Sequence, residues 1–219
     1  MINLIKLVII HLLLNSNCLT IAFSVSSLSS KVVNELKNFP SYKENAFINK
    51  VSDINKLMSY ITQLEESTIN NPPVYPRLWT QLEGEWKLIY SNNAGNNSPQ
   101  SSKLFRLEKV TQRFRKNNLE SSDYSYFVDN VLYYNTLNLS GEISLIHSSK
   151  VLSSSEPASL AIFLDKIEVK GLDTTTFPFD KLLSPSYLRK GSFETTFIDH
   201  NIRISRGQFG ELRIFEKIA

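Results

Sequence analysis

The stretch Phe193–Lys217 reads FETTFIDHNIRISRGQFGELRIFEK and decides the fold more than any other part of the chain. Apolar residues alternate with polar ones on both sides of a glycine-rich segment, which is typical of two antiparallel strands joined by a turn. The alternation predicts strands at Ser192–Ser205 and Glu211–Lys217. Gly207 and Gly210 supply the conformational freedom that a tight hairpin needs.

The same period of about two continues upstream as far as Leu78. In EWKLIYS, the side chains of Trp86, Leu88 and Tyr90 are predicted to share one strand face. Further strand-like runs lie at Lys103–Glu108, Val110–Arg115, Tyr124–Leu132, Glu142–Leu152 and Ala158–Val169. About eight short strands with no helical segment between them indicate a mainly β domain, an antiparallel sandwich or a closed barrel, over residues 78–219.

Apolar residues recur at helical spacing between Lys31 and Thr68. They predict two helices broken at Pro40, followed by a proline-rich linker at Asn70–Arg77. The apolar stripe of these helices either docks on the strand domain or faces a membrane, and docking is favoured. We therefore assign residues 35–77 to N-terminal helices and linker.

The first 22 residues have the parts of a secretory signal peptide: Lys6 near the start, an apolar run at Leu7–Leu14, and small residues ending at Ala22. The run is short for a transmembrane helix, and an uncleaved amphipathic anchor is the alternative. Cleavage after Ala22 would also remove Cys18, the single cysteine.

Residues 23–34 are serine-rich and contain no acid, a composition shared with organelle transit peptides. A signal peptide followed by such a segment resembles the two-part leaders of plastid proteins in algae whose plastids lie behind extra membranes. The prediction is a plastid location. The alternative is secretion, in which case the sequons at Asn96 and Asn138 become glycosylation candidates.

Charge and motif content exclude several classes of function. The 24 basic and 21 acidic residues are interspersed, and a net charge of +3 is too small to predict nucleic-acid binding. The histidines, His11, His147 and His200, are far apart, and no catalytic or nucleotide-binding motif is present. We expect no enzyme activity, no cofactor and no metal site.

The run Tyr124–Leu132 carries apolar side chains on both strand faces. Tyr126 and Val128 fall on one face, and Phe127 and Val131 on the other. A strand that is apolar on both sides must bury both, as in a barrel wall covered from outside. The lumen of such a barrel is either plugged by side chains or open to one small lipid.

Four segments resemble the plastid lipid-associated protein family, also called plastid fibrillins: LEGEWKLIYSN (Leu82–Asn92), VTQRF (Val110–Phe114), DNVLYYN (Asp129–Asn135) and above all Phe193–Lys217. The resemblance implies a lipocalin-like antiparallel β-barrel of about eight strands with N-terminal helices packed on it. It also implies lipid binding, often at plastoglobules or thylakoid membranes, without a shared catalytic site. The chain departs from the family at Asp199, where His and Asn follow in place of an acidic run.

Lipocalin-like barrels close one end with a Gly-x-Trp segment and an arginine from the far end of the chain. Gly84 and Trp86 match the first part. Along Phe197–Arg206, alternation puts Arg206 on the same strand face as Ile198, Ile202 and Ile204, and this apolar face is expected to point inward. Arg206 is therefore predicted to lie over Trp86, with Gly207 starting the hairpin. The same count places Arg203 outside, paired with Asp199.

These observations lead to one hypothesis and two alternatives. The hypothesis is a non-catalytic plastid protein whose barrel binds an isoprenoid or acyl lipid at a membrane or lipid-droplet surface, with Trp86, Leu88 and Tyr90 lining the site. The first alternative is a plugged barrel that serves as a scaffold or accessory subunit for a lipid-biosynthetic enzyme. The second is a secreted lipocalin-like carrier.

Overall fold

The computed structural model describes residues 25–38, 54–69, 71–92, 106–116, 126–136, 139–154, 158–171 and 190–218. Within these ranges three helices precede eight strands. The helices are α1 (25–37), α2 (Ile54–Ser67) and α3 (Arg77–Leu82). The strands are β1 (Gly84–Ser91), β2 (Arg106–Lys116), β3 (Tyr126–Thr136), β4 (Leu139–Ser153), β5 (Ser159–Lys170), β6 (Lys190–Ile198), β7 (Ile202–Gly207) and β8 (Leu212–Ile218).

All eight strands pair antiparallel with their neighbours in sequence, and β8 returns to pair with β1. The sheet is therefore a closed barrel, which confirms the mainly β prediction and decides between sandwich and barrel. Closure also leaves no free sheet edge along the paired residues.

Two predicted strand boundaries are wrong. The described part of the predicted run Lys103–Glu108, which begins at Arg106, belongs to the same strand as the run Val110–Arg115. This strand is β2, and its register shifts between Leu107 and Lys109. An extra residue at such a bulge reverses the alternation, which looks like a strand break in the sequence.

The predicted strand Ser192–Ser205 is in fact two strands, β6 and β7, joined by a turn at Asp199. The Asp199 carboxylate accepts hydrogen bonds from the backbone N–H groups of Asn201 and Ile202, at 2.7 and 2.8 Å. Asp and Asn favour such local turns because their side chains substitute for backbone partners.

The helices α1 and α2 pack on the outside of the barrel, as predicted. Ile61 and Leu36 are fully buried there against strand residues such as Ile204. We call this group the outer cluster: Val32, Val33, Leu36, Leu57, Ile61, Leu64, Ile89, Tyr90, Phe197, Ile202, Ile204, Leu212 and Ile214. The alternative that the apolar stripe faces a membrane is wrong. No helix among the described residues is long and apolar enough to cross a bilayer.

The serine-rich segment 23–34 overlaps α1, which begins at residue 25. Ser29 is fully buried and donates a hydrogen bond to Asp199. The proposed signal peptide (1–22) and the break at Pro40 lie outside the described residues.

A second group of side chains fills the barrel interior beneath α3. We call it the inner cluster: Tyr75, Leu78, Trp79, Leu82, Trp86, Phe114, Val128, Ala158, Leu160, Ile162, Phe193 and Phe215. Trp79 of α3 stacks on Tyr126 with ring centroids 3.9 Å apart. The Trp86 indole donates a 2.7 Å hydrogen bond to the Leu82 carbonyl. The short helix α3 therefore closes this end of the barrel.

Candidate functional site

The three positions predicted to line a lipid site do not share one face. Trp86 belongs to the inner cluster and Leu88 packs against it. Tyr90 pairs with Ile214 and lies in the outer cluster, under the helices. Ile89 is an extra residue between Leu88 and Tyr90, where the register shifts. Such a bulge moves the following side chains to the opposite face. The predicted face of Tyr90 is therefore wrong, while lipid contact by Trp86 and Leu88 stays a prediction.

The arginine in the barrel interior is Arg203 rather than Arg206. Arg203 is fully buried, and its guanidinium carbon lies 5.6 Å from the centroid of the Trp86 ring. Three phenylalanine rings complete the surroundings, with centroids 4.0, 4.8 and 5.8 Å away: Phe215, Phe114 and Phe193. The predicted outer position of Arg203, paired with Asp199, is wrong.

Arg206 lies on the outer face and binds α2. Its Nε and Nη2 atoms donate to the two carboxylate oxygens of Glu65, both at 2.8 Å. The predicted contact with Trp86 fails because the turn at Asp199 interrupts the strand, so alternation counted from Phe197 does not carry into β7. The idea of an arginine over Trp86 is retained, with a different arginine.

The glycines predicted for this end of the fold occupy the expected places. Gly84 opens β1 with a φ of 107°, and a Cβ there would lie 3.2 Å from Lys217 Nζ. Gly207 and Glu211 are joined by a 2.8 Å backbone hydrogen bond across the hairpin between β7 and β8. Gly210 completes that turn with a φ of 80°, in the left-handed region that favours glycine.

Arg203 has one hydrogen bond for its five N–H groups among the described residues. Its Nη2 donates to Gln112 Oε1 at 2.6 Å, and the Gln112 amide donates in turn to Asn130 at 2.9 Å. In the described part of the chain, Nε and Nη1 have no hydrogen-bond partner. Burial lowers the pKa of Arg203 from its ordinary, very high value to about 9.

Two further cations, both on β8 and both partly exposed, lie near Arg203. Lys217 lies 4.3 Å above the Trp86 ring and donates to the carbonyl of Glu83. Burial lowers the pKa of Lys217, and the positive charge of Arg203 lowers it further. Burial also lowers the pKa of Arg213, which lies 3.5 Å from Glu211. The interior is therefore lined by aromatic rings and carries positive charge.

Towards the other end of the barrel, the inner faces of β3, β4 and β5 carry a third apolar group, which we call the end cluster: Tyr134, Ile143, Leu145, Leu132, Leu164, Ile167 and Val169. Four of its seven members are only partly buried: Leu132, Leu164, Ile167 and Val169. In the described chain β6 begins opposite Phe163, so the second half of β5 pairs with β4 alone.

Among the described residues, no group of three His, Cys, Asp or Glu side chains is placed to hold a metal ion. His147 is buried, and its Nδ1 donates to the Val128 carbonyl at 3.0 Å. Val128 is also its cross-strand partner and belongs to the inner cluster, an environment that suits a structural role.

The family model PAP_fibrillin matches residues 32–216, which include α2, α3, the strands β1 to β7 and all but the last two residues of β8. The chain belongs to this family. Fibrillin-family proteins are in general structural lipid-associated proteins rather than enzymes.

One similar protein of this family is plastid-lipid-associated protein 6, chloroplastic, of Arabidopsis thaliana. It is 27% identical over 149 residues, a match that covers 62% of this chain and 52% of the relative. The chain thus spans about half the length of that fibrillin. No solved structure matches the chain significantly.

The arginine that the sequence reasoning missed had a detectable signal. IDHN, Ile198–Asn201, contains two residues that favour turns, Asp199 and Asn201, within a supposed strand, and a break there changes which face Arg203 occupies. The partner residue Gln112 had no such signal, because only barrel closure brings β2 within reach of β7.

Proposed function

We propose that this fibrillin is a non-catalytic lipid-binding protein of the plastid, which holds isoprenoid or acyl lipids at plastoglobule or thylakoid surfaces. The family assignment and the similar protein, named as plastid-lipid-associated and chloroplastic, support this function. The proposal needs a surface in the barrel that takes up a hydrocarbon chain.

The end cluster is the observation that carries the proposal. Leu164, Ile167 and Val169 are apolar side chains on one face of β5, and each remains partly exposed. Covering such a surface with a lipid chain removes apolar area from water, which contributes roughly 25 cal/mol per Å². Pockets lined by apolar side chains with a few polar groups are the usual form of small-molecule sites.

The test is mass spectrometry of lipids retained by the full chain after incubation with a total algal lipid extract. We expect stoichiometric recovery of one lipid class. Ile167→Gln places an amide in the end cluster and should abolish retention. Its matched control is Lys166→Gln on the exposed side of the same strand, which should leave retention unchanged. Equal retention by both variants would contradict a site at the end cluster.

A second candidate function is a scaffold or accessory subunit for a lipid-biosynthetic enzyme. It is favoured by the opposite end of the interior, where aromatic rings of β1, β2, β6 and β8 pack around Arg203 beneath α3. If the folded wild-type chain retains no lipid in the same experiment, this function replaces lipid binding. The protein partner then becomes the object of the search.

The same proposal includes a plastid location, reached through a two-part leader at residues 1–22 and 23–34. Secretion is the alternative. Ser29, Val32 and Val33 are buried against the barrel as parts of α1. A mature chain that keeps this packing retains the residues of α1. Removal of the entire serine-rich segment would cost the Ser29–Asp199 hydrogen bond.

A further inference from the structure

Among the described residues, no anion balances the charge on Arg203. Its side chain is fully buried, and the hydrogen bond that it donates within this part of the chain goes to the neutral amide of Gln112. The nearby cations Arg213 and Lys217 add to the positive potential. A buried charge without a counter-charge is costly, because neither water nor an opposite charge replaces its lost hydration.

Among the described residues, three of the four that have a buried side-chain polar atom without a hydrogen-bond partner lie together on the inner face of β6 and β7. Arg203 contributes Nε and Nη1, which lack partners in the described chain. The hydroxyls of Ser205 and Thr195 are also buried without a partner there. Ser205 follows Arg203 by two residues on the same strand, and Thr195 is the cross-strand neighbour of Ser205. These groups would suit a small anion with several acceptor oxygens.

An apolar track leads away from this polar group. Ile162 of β5 belongs to the inner cluster that surrounds Arg203, and Leu164, Ile167 and Val169 continue the inner face into the end cluster. The seven steps along the strand from Ile162 to Val169 span about 23 Å at the usual rise of a strand. This length accommodates an extended long acyl chain.

We propose that Arg203 binds the carboxylate of a single-chain lipid such as a free fatty acid, whose tail runs along the inner face of β5 to the end cluster. The inference rests on the proposed lipid-binding function and adds the class of ligand and its orientation. The Nε–H of Arg203 donates to one carboxylate oxygen, the hydroxyls of Ser205 and Thr195 supply further hydrogen bonds to the headgroup, and the aromatic rings exclude water from the site. Charge-assisted hydrogen bonds of this kind are roughly twice as strong as neutral ones.

The experiment is equilibrium dialysis of the full chain with radiolabelled oleate, oleyl alcohol and acetate. Oleate and oleyl alcohol share the tail and differ in the charge of the head, while acetate has the head alone. We expect oleate to bind about tenfold or more tightly than oleyl alcohol, as charge-assisted hydrogen bonds to a buried guanidinium require. Acetate at the same concentration should show no binding.

Arg203→Met removes the guanidinium and keeps an apolar side chain of similar length. It should bind both lipids equally. The matched control is Arg206→Met, three residues along β7 on the outer face, which should keep the preference for oleate. Near-UV circular dichroism checks that each variant is folded.

A second measurement covers the case in which Arg203→Met fails to fold. In the wild-type chain labelled with ¹⁵N-arginine, the exchange-protected Nε–H signal of the buried Arg203 should shift with oleate and stay in place with oleyl alcohol. Equal shifts with both ligands would overturn the inference.

The outcomes separate this inference from the proposed function. If oleate and oleyl alcohol bind equally to the wild type, or if folded Arg203→Met keeps the preference, the headgroup site is wrong and lipid binding stands. If neither lipid binds, both proposals fail. Binding of acetate alone would indicate a site for small free anions and would overturn the inference that Arg203 binds a lipid headgroup.

Discussion

Arg203 and Arg206 show that the surroundings of a side chain determine its role. The two arginines are three residues apart on one strand and carry the same charge. Arg203 lies among four aromatic rings, where burial lowers its pKa, while Arg206 pairs with Glu65 at the surface, where that carboxylate raises its pKa. The first is a candidate ligand-binding group, and the second fixes a helix to the barrel.

His147 gives a prediction at the scale of one residue. It is 3% exposed, and burial lowers its pKa below the ordinary value of 6.5. The unfolded chain therefore binds a proton more readily than the folded chain. The contribution to stability is present above about pH 6.5 and is lost as the pH falls towards the lowered pKa, by at most about 1.4 kcal/mol per pH unit.

We predict that His147→Gln, which cannot be protonated, flattens the dependence of Tm on pH between pH 8 and pH 5.5. The difference in Tm between wild type and variant should shrink as the pH falls. His200→Gln is the control, since His200 is exposed in the turn between β6 and β7, and its curve should follow the wild type. A constant difference for His147→Gln would contradict the prediction.

At the scale of elements, α2 is attached to the barrel by both apolar and charged contacts. Leu57, Ile61 and Leu64 form its buried face. Glu65 then pairs with Arg206 of β7 and accepts a 2.7 Å hydrogen bond from Thr196, the extra residue of a bulge in β6. The bulge turns the Thr196 hydroxyl towards α2, so it contributes a hydrogen bond that holds this helix on the barrel.

We predict that Glu65→Gln lowers the free energy of unfolding by about 1 kcal/mol. Charge-assisted hydrogen bonds contribute about 1.5–3 kcal/mol when buried, and partial exposure of this pair reduces the value. Urea denaturation measures the change. Glu168→Gln breaks the more exposed pair with Lys166 on β5 and should cost less than half as much. Equal losses would show that the Glu65 contact has no special role in docking α2.

At the scale of the whole molecule, helices and barrel share one core. The outer cluster joins residues of α1 and α2 to residues of β1, β6, β7 and β8. Because those strands also form one wall of the barrel interior, detaching α1 exposes the sheet on which the inner cluster rests. We therefore expect the described elements to unfold together, as small single domains usually do.

We predict that Leu36→Ala lowers the stability of the entire domain by about 2–5 kcal/mol, the usual cost of deleting a fully buried leucine side chain. Far-UV circular dichroism and tryptophan fluorescence should give one coincident transition. Ile54→Ala, at an exposed position of α2, is the control and should change stability by less than about 0.5 kcal/mol. Separate transitions for helix and tryptophan signals would contradict a shared core.

The sequence alone determined the features that depend on local pattern. Alternation predicted strands, helical spacing predicted the helices that pack on them, and Gly207 with Gly210 predicted the last hairpin. The resemblance of Phe193–Lys217 indicated the family that the comparison with known proteins confirms.

Only the tertiary structure decided which residues meet. Bulges at Ile89 and Thr196 and the turn at Asp199 each reset the alternation, so faces counted from sequence were reversed for Tyr90 and Arg203. Such irregularities form where packing and backbone hydrogen bonds across the sheet favour them, and those contacts join residues far apart in the chain. The surroundings of Arg203, with four rings and one amide from other strands, arise from barrel closure and from no local signal.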